Sequence, residues 1–336
     1  MTAFIIGPPR SGTTLLSYML DGHSDLAVMV ESHLFGVYRA VADRLGDRFG
    51  ELWPELLPRM LDSRPLVYIE PRIDPKSLLH RRFGDYADLA RAILETWTEQ
   101  RGKRIWIEKT PAHTLCWRYL ADRFPKARFV AIVRDPRAST ASLIRARFGP
   151  SAASTATRRW VRYCEAIDAF RRAEPHRLHL LRYEELVHEP RETLAGICDF
   201  LGIGLEEAML TPQPSSRVMT DAVNRQRLQG RVIAGDTERW RRSMPEHQQR
   251  ICSSIARVPA RRLGFEIEAA AVGVEDRLKD WLDLARLVVK RSRNLQGQAE
   301  WLDQARLRRW ARLRPLVKPG SALTAESMAI ALSCWP

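Results

Sequence analysis

One junction near the start of the chain restricts its fold more than any other stretch. Ala3-Phe-Ile-Ile6 is a short apolar run. It passes through Gly7-Pro-Pro-Arg-Ser-Gly12 into Thr13–Asp21, a helical stretch closed by Gly22. A buried strand, a turn with Gly-x4-Gly spacing and a helix, in that order, aim successive backbone N–H groups and the positive helix end at one point. That arrangement favours an anion. Arg10, Ser11, Gly12, Thr13 and Thr14 are the candidate ligands, the last two through their hydroxyls.

The pattern then repeats. Residues 104–108, 128–133 and 178–182 read as further strands, and 128–133 is almost wholly apolar, as a parallel strand covered on both faces should be. Helical spacing runs over 86–101. Pro111 and Pro136 open helices, the second through about 148, and another helix is expected from about 185 to 201. Strands alternating with helices predict an α/β fold: a P-loop-type doubly wound parallel sheet flanked by helices. After Phe265 the strand signals stop. Trp281-Leu-Asp-Leu-Ala-Arg-Leu287 is echoed by Trp301-Leu-Asp-Gln-Ala-Arg-Leu307. The expected division is a main domain over 1–265 and a basic helical extension over 266–336.

Composition excludes several classes. With 45% apolar and 28% charged residues the chain is neither a disordered tail nor a fibre. Five scattered cysteines, never spaced Cys-x-x-Cys, argue against a disulfide framework or a structural zinc site. No run is long and apolar enough to span a bilayer, and the first residues lack the pattern of a leader, so a cytoplasmic location is expected. The formal net charge is +14. Residues 286–318 hold ten bases against two acids, so much of the excess belongs to the extension. That stretch interleaves arginine with leucine and tryptophan. It would suit an anionic membrane surface, an acidic partner or a cover over an acceptor pocket, or be a solvated basic face on a packed helix. A basic run without a nucleic-acid fold signature does not make a nucleic-acid binder.

The first loop departs from nucleotide triphosphatases in an informative way. Thr13 stands where they carry lysine, and the cation sits three residues earlier at Arg10. Arg134-Asp135 follows the 128–133 strand, so a cation precedes the carboxylate and no clean magnesium acid is evident. A metal-free site for a less charged group is expected, with a kinase or ATPase as the alternative. Arg134 at a strand end and Ser142 two turns into the next helix form a second anion site. It lies on the sheet edge where ligands bind in doubly wound folds. A ligand with two separated phosphates would satisfy both places.

Over about 1–265 the chain resembles the sulfotransferases that use 3′-phosphoadenosine 5′-phosphosulfate (PAPS), in particular their bacterial, tyrosyl-protein-like branch. The first loop resembles their 5′-phosphosulfate loop, and Arg134 to Ser142 their 3′-phosphate motif. Glu108-Lys-Thr-Pro111, Asp21-Gly-His23, Glu31-Ser-His33 and Leu180-Leu-Arg-Tyr183-Glu-Glu-Leu186 fit the same branch. Arg231 with Gly235 to Arg241 more loosely resembles the segment that covers the donor. The resemblance implies sulfuryl transfer from PAPS to a hydroxyl-bearing acceptor, leaving adenosine 3′,5′-bisphosphate (PAP), with no metal. It implies Glu31 as general base, with Arg10 and Lys109 on the leaving oxygen or the sulfonate. Arg10, Ser11, Gly12, Thr13, Thr14, Arg134, Ser142, Tyr183 and Arg231 would hold the donor.

Other branches use histidine as base, which makes His33 and His113 rivals of Glu31. An unperturbed glutamate is a poor base at neutral pH; the apolar run Leu26–Val30 before Glu31 suggests burial that would raise its pKa. Segments 34–85 and 145–160 are expected near the acceptor. Trp53, Trp97, Trp117 and Phe148 suit either an apolar acceptor pocket or the core, and Trp240 either the adenine or the core. The sequence fixes neither acceptor nor oligomeric state.

Overall fold

A computed structural model describes residues 2–63, 66, 69–146, 148–211 and 237–292, with side chains through 285. Five parallel strands form one sheet: β1 (Thr2–Ile6), β2 (Leu26–Val30), β3 (Ile105–Lys109), β4 (Arg128–Val133) and β5 (Leu178–Arg182). Their order is β2-β3-β1-β4-β5, with β1 at the centre. Registers Ile5↔Lys109, Val30↔Lys109, Ile6↔Ala131 and Val133↔Arg182 bring all five carboxyl ends to one edge.

Alternate residues of each strand enter different cores. Phe4, Ile6, Met29, Phe129 and Ala131 point into one, with α2 (Arg39–Leu45), α3 (Phe49–Leu61), α4 (Lys76–Leu79), α5 (Tyr86–Gln100) and α8 (Ala153–Ala173). Ala3, Ile5, Val28, Val130 and Ile132 point into the other, with α1 (Thr13–Asp21) and α10 (Pro190–Leu201). Both faces are thus covered, as the near-continuous apolar strands require, and the doubly wound α/β expectation holds.

Several local expectations are corrected. Leu26–Val30 is a fully buried edge strand, not merely an apolar run. The helix expected from 185 is two, α9 (Tyr183–His188) and α10, because Pro190 starts a new first turn. α7 (Pro136–Arg145) stops short of 148. Pro111 opens a 3-10 segment, Pro111–Cys116, that leads into α6 (Trp117–Arg123).

Trp53, Trp97 and Trp117 are core residues: Trp53 meets Phe83 edge-on at 4.8 Å, and Trp117 stacks on Phe170 at 4.7 Å. Past α10, the helices α11 (Arg239–Ser243) and α12 (Glu246–Arg262) pack over α7, and α13 (Val274–Ser292) follows. The second copy of the tryptophan motif lies outside the described residues.

Candidate active site

The loops that leave the five carboxyl ends carry almost every predicted site residue. After β1 the chain turns sharply. Gly7 approaches β4 so closely that a Cβ there would sit 2.3 Å from the Ile132 carbonyl oxygen. Arg10 adopts a left-handed φ of 68°, and Gly12, at φ 94°, caps α1 without a side-chain acceptor. The first N–H groups of α1 therefore open onto the loop. The Gly7 N–H donates to Thr114 Oγ1 at 2.9 Å, which ties the loop to the turn after β3.

The second anion motif lies against the first. Arg10 Nε donates to Ser142 Oγ at 3.1 Å, and Ser11 Oγ meets Ser139 Oγ at 3.0 Å. Tyr183 fills the space between them: a Cβ on Gly12 would lie 2.3 Å from Tyr183 Cδ2, and the Arg134 guanidinium sits 4.2 Å above the Tyr183 ring. Arg134 Nε is buried and donates to nothing among the described residues. An orphaned guanidinium N–H beside an uncapped helix end fits a ligand with two anionic groups.

Asp135 is committed elsewhere. It caps α7 by accepting from the Arg137 N–H, and it pairs with the Arg137 guanidinium at 2.6 Å. Arg137 lies over Trp240, which packs against α7 with Ala138 and Ala141; Trp240 is therefore core.

The third part grows from the pairing of β2 with β3. The register Val30↔Lys109 places Glu31, just past β2, beside Lys109, the last residue of β3. Lys109 is fully buried. Its ammonium donates to Glu31 Oε1 at 2.9 Å and to Thr14 Oγ1 at 3.3 Å, linking base candidate and anion loop. The Glu31 side chain is 48% exposed. The Lys109 charge outweighs burial and holds the Glu31 carboxyl below its ordinary range. The expected upward shift is therefore corrected: an ammonium across the sheet outweighs desolvation.

Beneath this pair lies a buried network that sequence reasoning did not identify. Glu108 accepts from Ser32 Oγ at 2.7 Å, Thr110 Oγ1 at 2.6 Å and His113 Nδ1 at 2.6 Å. Burial pushes Glu108 up, but the His113 ring and these hydrogen bonds overcome it, and the net direction is down. The hydroxyls in turn accept backbone N–H groups: Ser32 from Leu34 at 3.2 Å and Thr110 from His33 at 3.2 Å. Glu31 and His33 both stand in the left-handed region, at φ 54° and 55°, a strained pair that this network holds.

His113 Nε2 accepts the Phe35 N–H at 3.2 Å, so Nδ1 carries the proton it gives Glu108. Both ring nitrogens are engaged inside the core. Burial pushes His33 below the usual histidine range, against the pull of Glu31.

Asp21 and His23 sit at the opposite edge of the sheet. Arg101 clasps Asp21 at 2.6 and 3.0 Å, and Lys103 donates to the Asp21 and His23 carbonyls. This part of the resemblance is scaffold. Arg231 lies outside the described residues. Ser139 and Glu108 had readable signals: Ser139 is one turn before Ser142 on the same helix face, and Glu108 adjoins Lys109.

The profile of the Sulfotransferase family matches residues 3–207, which include every predicted site residue but Arg231. The chain belongs to the Sulfotransferase family. Among curated relatives, protein-tyrosine sulfotransferase 1 of Danio rerio is 27% identical over 227 residues, covering 62% of this chain and 54% of that protein. The omega-hydroxy-beta-dihydromenaquinone-9 sulfotransferase Stf3 of Mycobacterium bovis is 28% identical over 249 residues, covering 62% and 64%. The chain spans about half the length of the first of these relatives.

The sulfotransferase domain of the Synechococcus PCC 7002 olefin synthase superposes with a TM-score of 0.52 at 24% identity, over 84% of this chain and 93% of that one. It shares the sulfotransferase fold. Thr13 stands in place of a triphosphatase lysine, and Asp135, at the end of β4, is paired with Arg137.

Proposed function

We propose that this sulfotransferase moves a sulfuryl group from PAPS to an acceptor hydroxyl. The observation that carries the reading is the contact of Arg10 with Ser142, which joins two anion sites into one groove at the sheet edge. The residues fit the donor. The amides of the first loop, Arg10, Ser11, Gly12, Thr13 and Thr14 would hold its 5′ end, and Arg134 and Ser142 the 3′-phosphate, with Tyr183 packed between. Arg231 would join them. When bound, PAPS supplies the sulfuryl group and leaves as PAP.

The chain's own groups do the rest. Donors fixed around the leaving oxygen stabilise the charge that grows there, and losing one costs about 3–4 kcal/mol. Lys109, already aimed at Thr14, is such a donor. Glu31 takes the acceptor proton. Its low pKa keeps it ionised, and any partner that draws Lys109 away strengthens it as a base. No metal is required in this reading.

Tyrosine and a hydroxylated menaquinone derivative, named by the relatives, define the first acceptors to try. The test incubates the full chain with sulfur-labelled PAPS, EDTA and a panel of tyrosine peptides, hydroxylated prenyl quinols and phenols. Label transfer that Glu31→Gln abolishes is expected. Transfer undiminished in Glu31→Gln would overturn the base assignment, and failure to bind PAP would overturn the whole reading.

A further inference from the structure

The Val274–Ser292 helix docks by its acidic side. Asp276, Asp280 and Asp283 are each no more than 9% exposed. Arg250 clasps Asp276 through Nε and Nη2 at 3.1 and 2.8 Å, Gln248 donates to Asp283 at 2.9 Å, and the Ser154 N–H donates to Asp280 at 3.1 Å. The other side is apolar and open. Val274, Leu278, Trp281 and Leu282 are 85%, 56%, 63% and 47% exposed. At 3.6 residues per turn these four and Ala285 fall within an arc of about 100°, roughly opposite the three aspartates. An ordinary surface helix buries its apolar stripe and shows its charges; this helix does the reverse.

The occupant follows from charge. Glu275 is the one acid among residues 274–285 that stays exposed, and it is paired with Lys279 at 2.6 Å. Arg277 is exposed beside the stripe, and the sequence from 286 to 318 adds ten bases against two acids. A second copy would bring these cations against themselves. A leucine–tryptophan stripe flanked by cations matches the interface of an acidic bilayer. We propose that the outward face of this helix seats the protein on an anionic lipid surface. The inward aspartates keep the carboxylates away from the headgroups.

The test is cosedimentation of the full chain with vesicles of phosphatidylcholine mixed with phosphatidylglycerol, against phosphatidylcholine alone. Low-salt binding that needs the anionic lipid and falls steeply with added salt is expected. The doubly substituted Leu278→Gln/Trp281→Gln protein should bind at least about tenfold more weakly. Its affinity for PAP should be unchanged, which verifies that it is folded. Absence of binding at low salt, binding indifferent to anionic lipid or salt, or a variant that binds as well as wild type would each overturn the proposal. A dimer in sedimentation velocity that the same variant abolishes would assign the stripe to a second copy instead.

Discussion

Arg10 Nε donates to Ser142 Oγ at 3.1 Å across a sequence separation of 132 residues. The two residues belong to the turn after β1 and to the helix after β4, and these strands are parallel neighbours. Parallel pairing delivers both turns to one edge, so side chains alone join them. Ser11 and Ser139 repeat the contact one turn earlier on α7, at 3.0 Å. The two motifs are thus one structure, and Tyr183 packs against Gly12 of the first and Arg134 of the second.

Glu31→Gln keeps shape and removes the base. Turnover should fall about 10²- to 10⁴-fold, while PAP affinity, measured by calorimetry, stays unchanged. Near-normal turnover would move the role to His33.

The Glu31–Lys109 pair fixes a pH dependence. The Lys109 charge favours ionised Glu31, so Glu31 should titrate below the ordinary value of about 4.3. A base works ionised; activity is present above this lowered pKa and is lost as pH falls through it. The pair's contribution to stability has the same sign: present above the unfolded pKa, lost as pH falls through the folded one. Lys109→Met should raise the Glu31 pKa in a carboxyl NMR titration of the unliganded protein. An unmoved titration would mean that the pair does not form in solution.

Glu108→Gln tests the buried network under the strained loop. An amide cannot accept from Ser32, Thr110 and His113 together, so at least one donor loses its partner, at about 1–3 kcal/mol. The melting temperature should drop by several degrees. Turnover should fall more than PAP affinity does, because the network holds Glu31 and His33 rather than the anion loop. Equal losses in both would indicate a general structural role.

Gly12→Ala forces a side chain into a left-handed conformation and against Tyr183. The strain is about 1–3 kcal/mol, read as a lowered melting temperature together with weakened PAP binding. A variant as stable as wild type would contradict the loop geometry.

The joined loop and arginine–serine motif are legible because their signals are local. Glycine spacing, apolar runs and an arginine at a strand end each span a few residues, and parallel topology does the rest. Leu26–Val30 escaped notice as a strand because five apolar residues without flanking glycine or proline do not declare their period. The chemistry of Glu31 was misjudged for a related reason: its partner Lys109 is 78 residues away, and the Val30↔Lys109 register that joins them is a tertiary fact. Asp21 and His23 belong to a stretch that fits the family branch, yet they precede β2 and so lie at the edge away from the site.

The most direct test is calorimetry with adenosine 3′,5′-bisphosphate in EDTA, for wild type and Arg134→Ala, with ATP as comparison. The account predicts metal-free binding of the bisphosphate in preference to ATP. It predicts a loss of about 10- to 100-fold in the variant, the worth of a charge-assisted contact whose buried donor Nε has no acceptor among the described residues. An Arg134→Ala protein that binds the bisphosphate as tightly as wild type would contradict it.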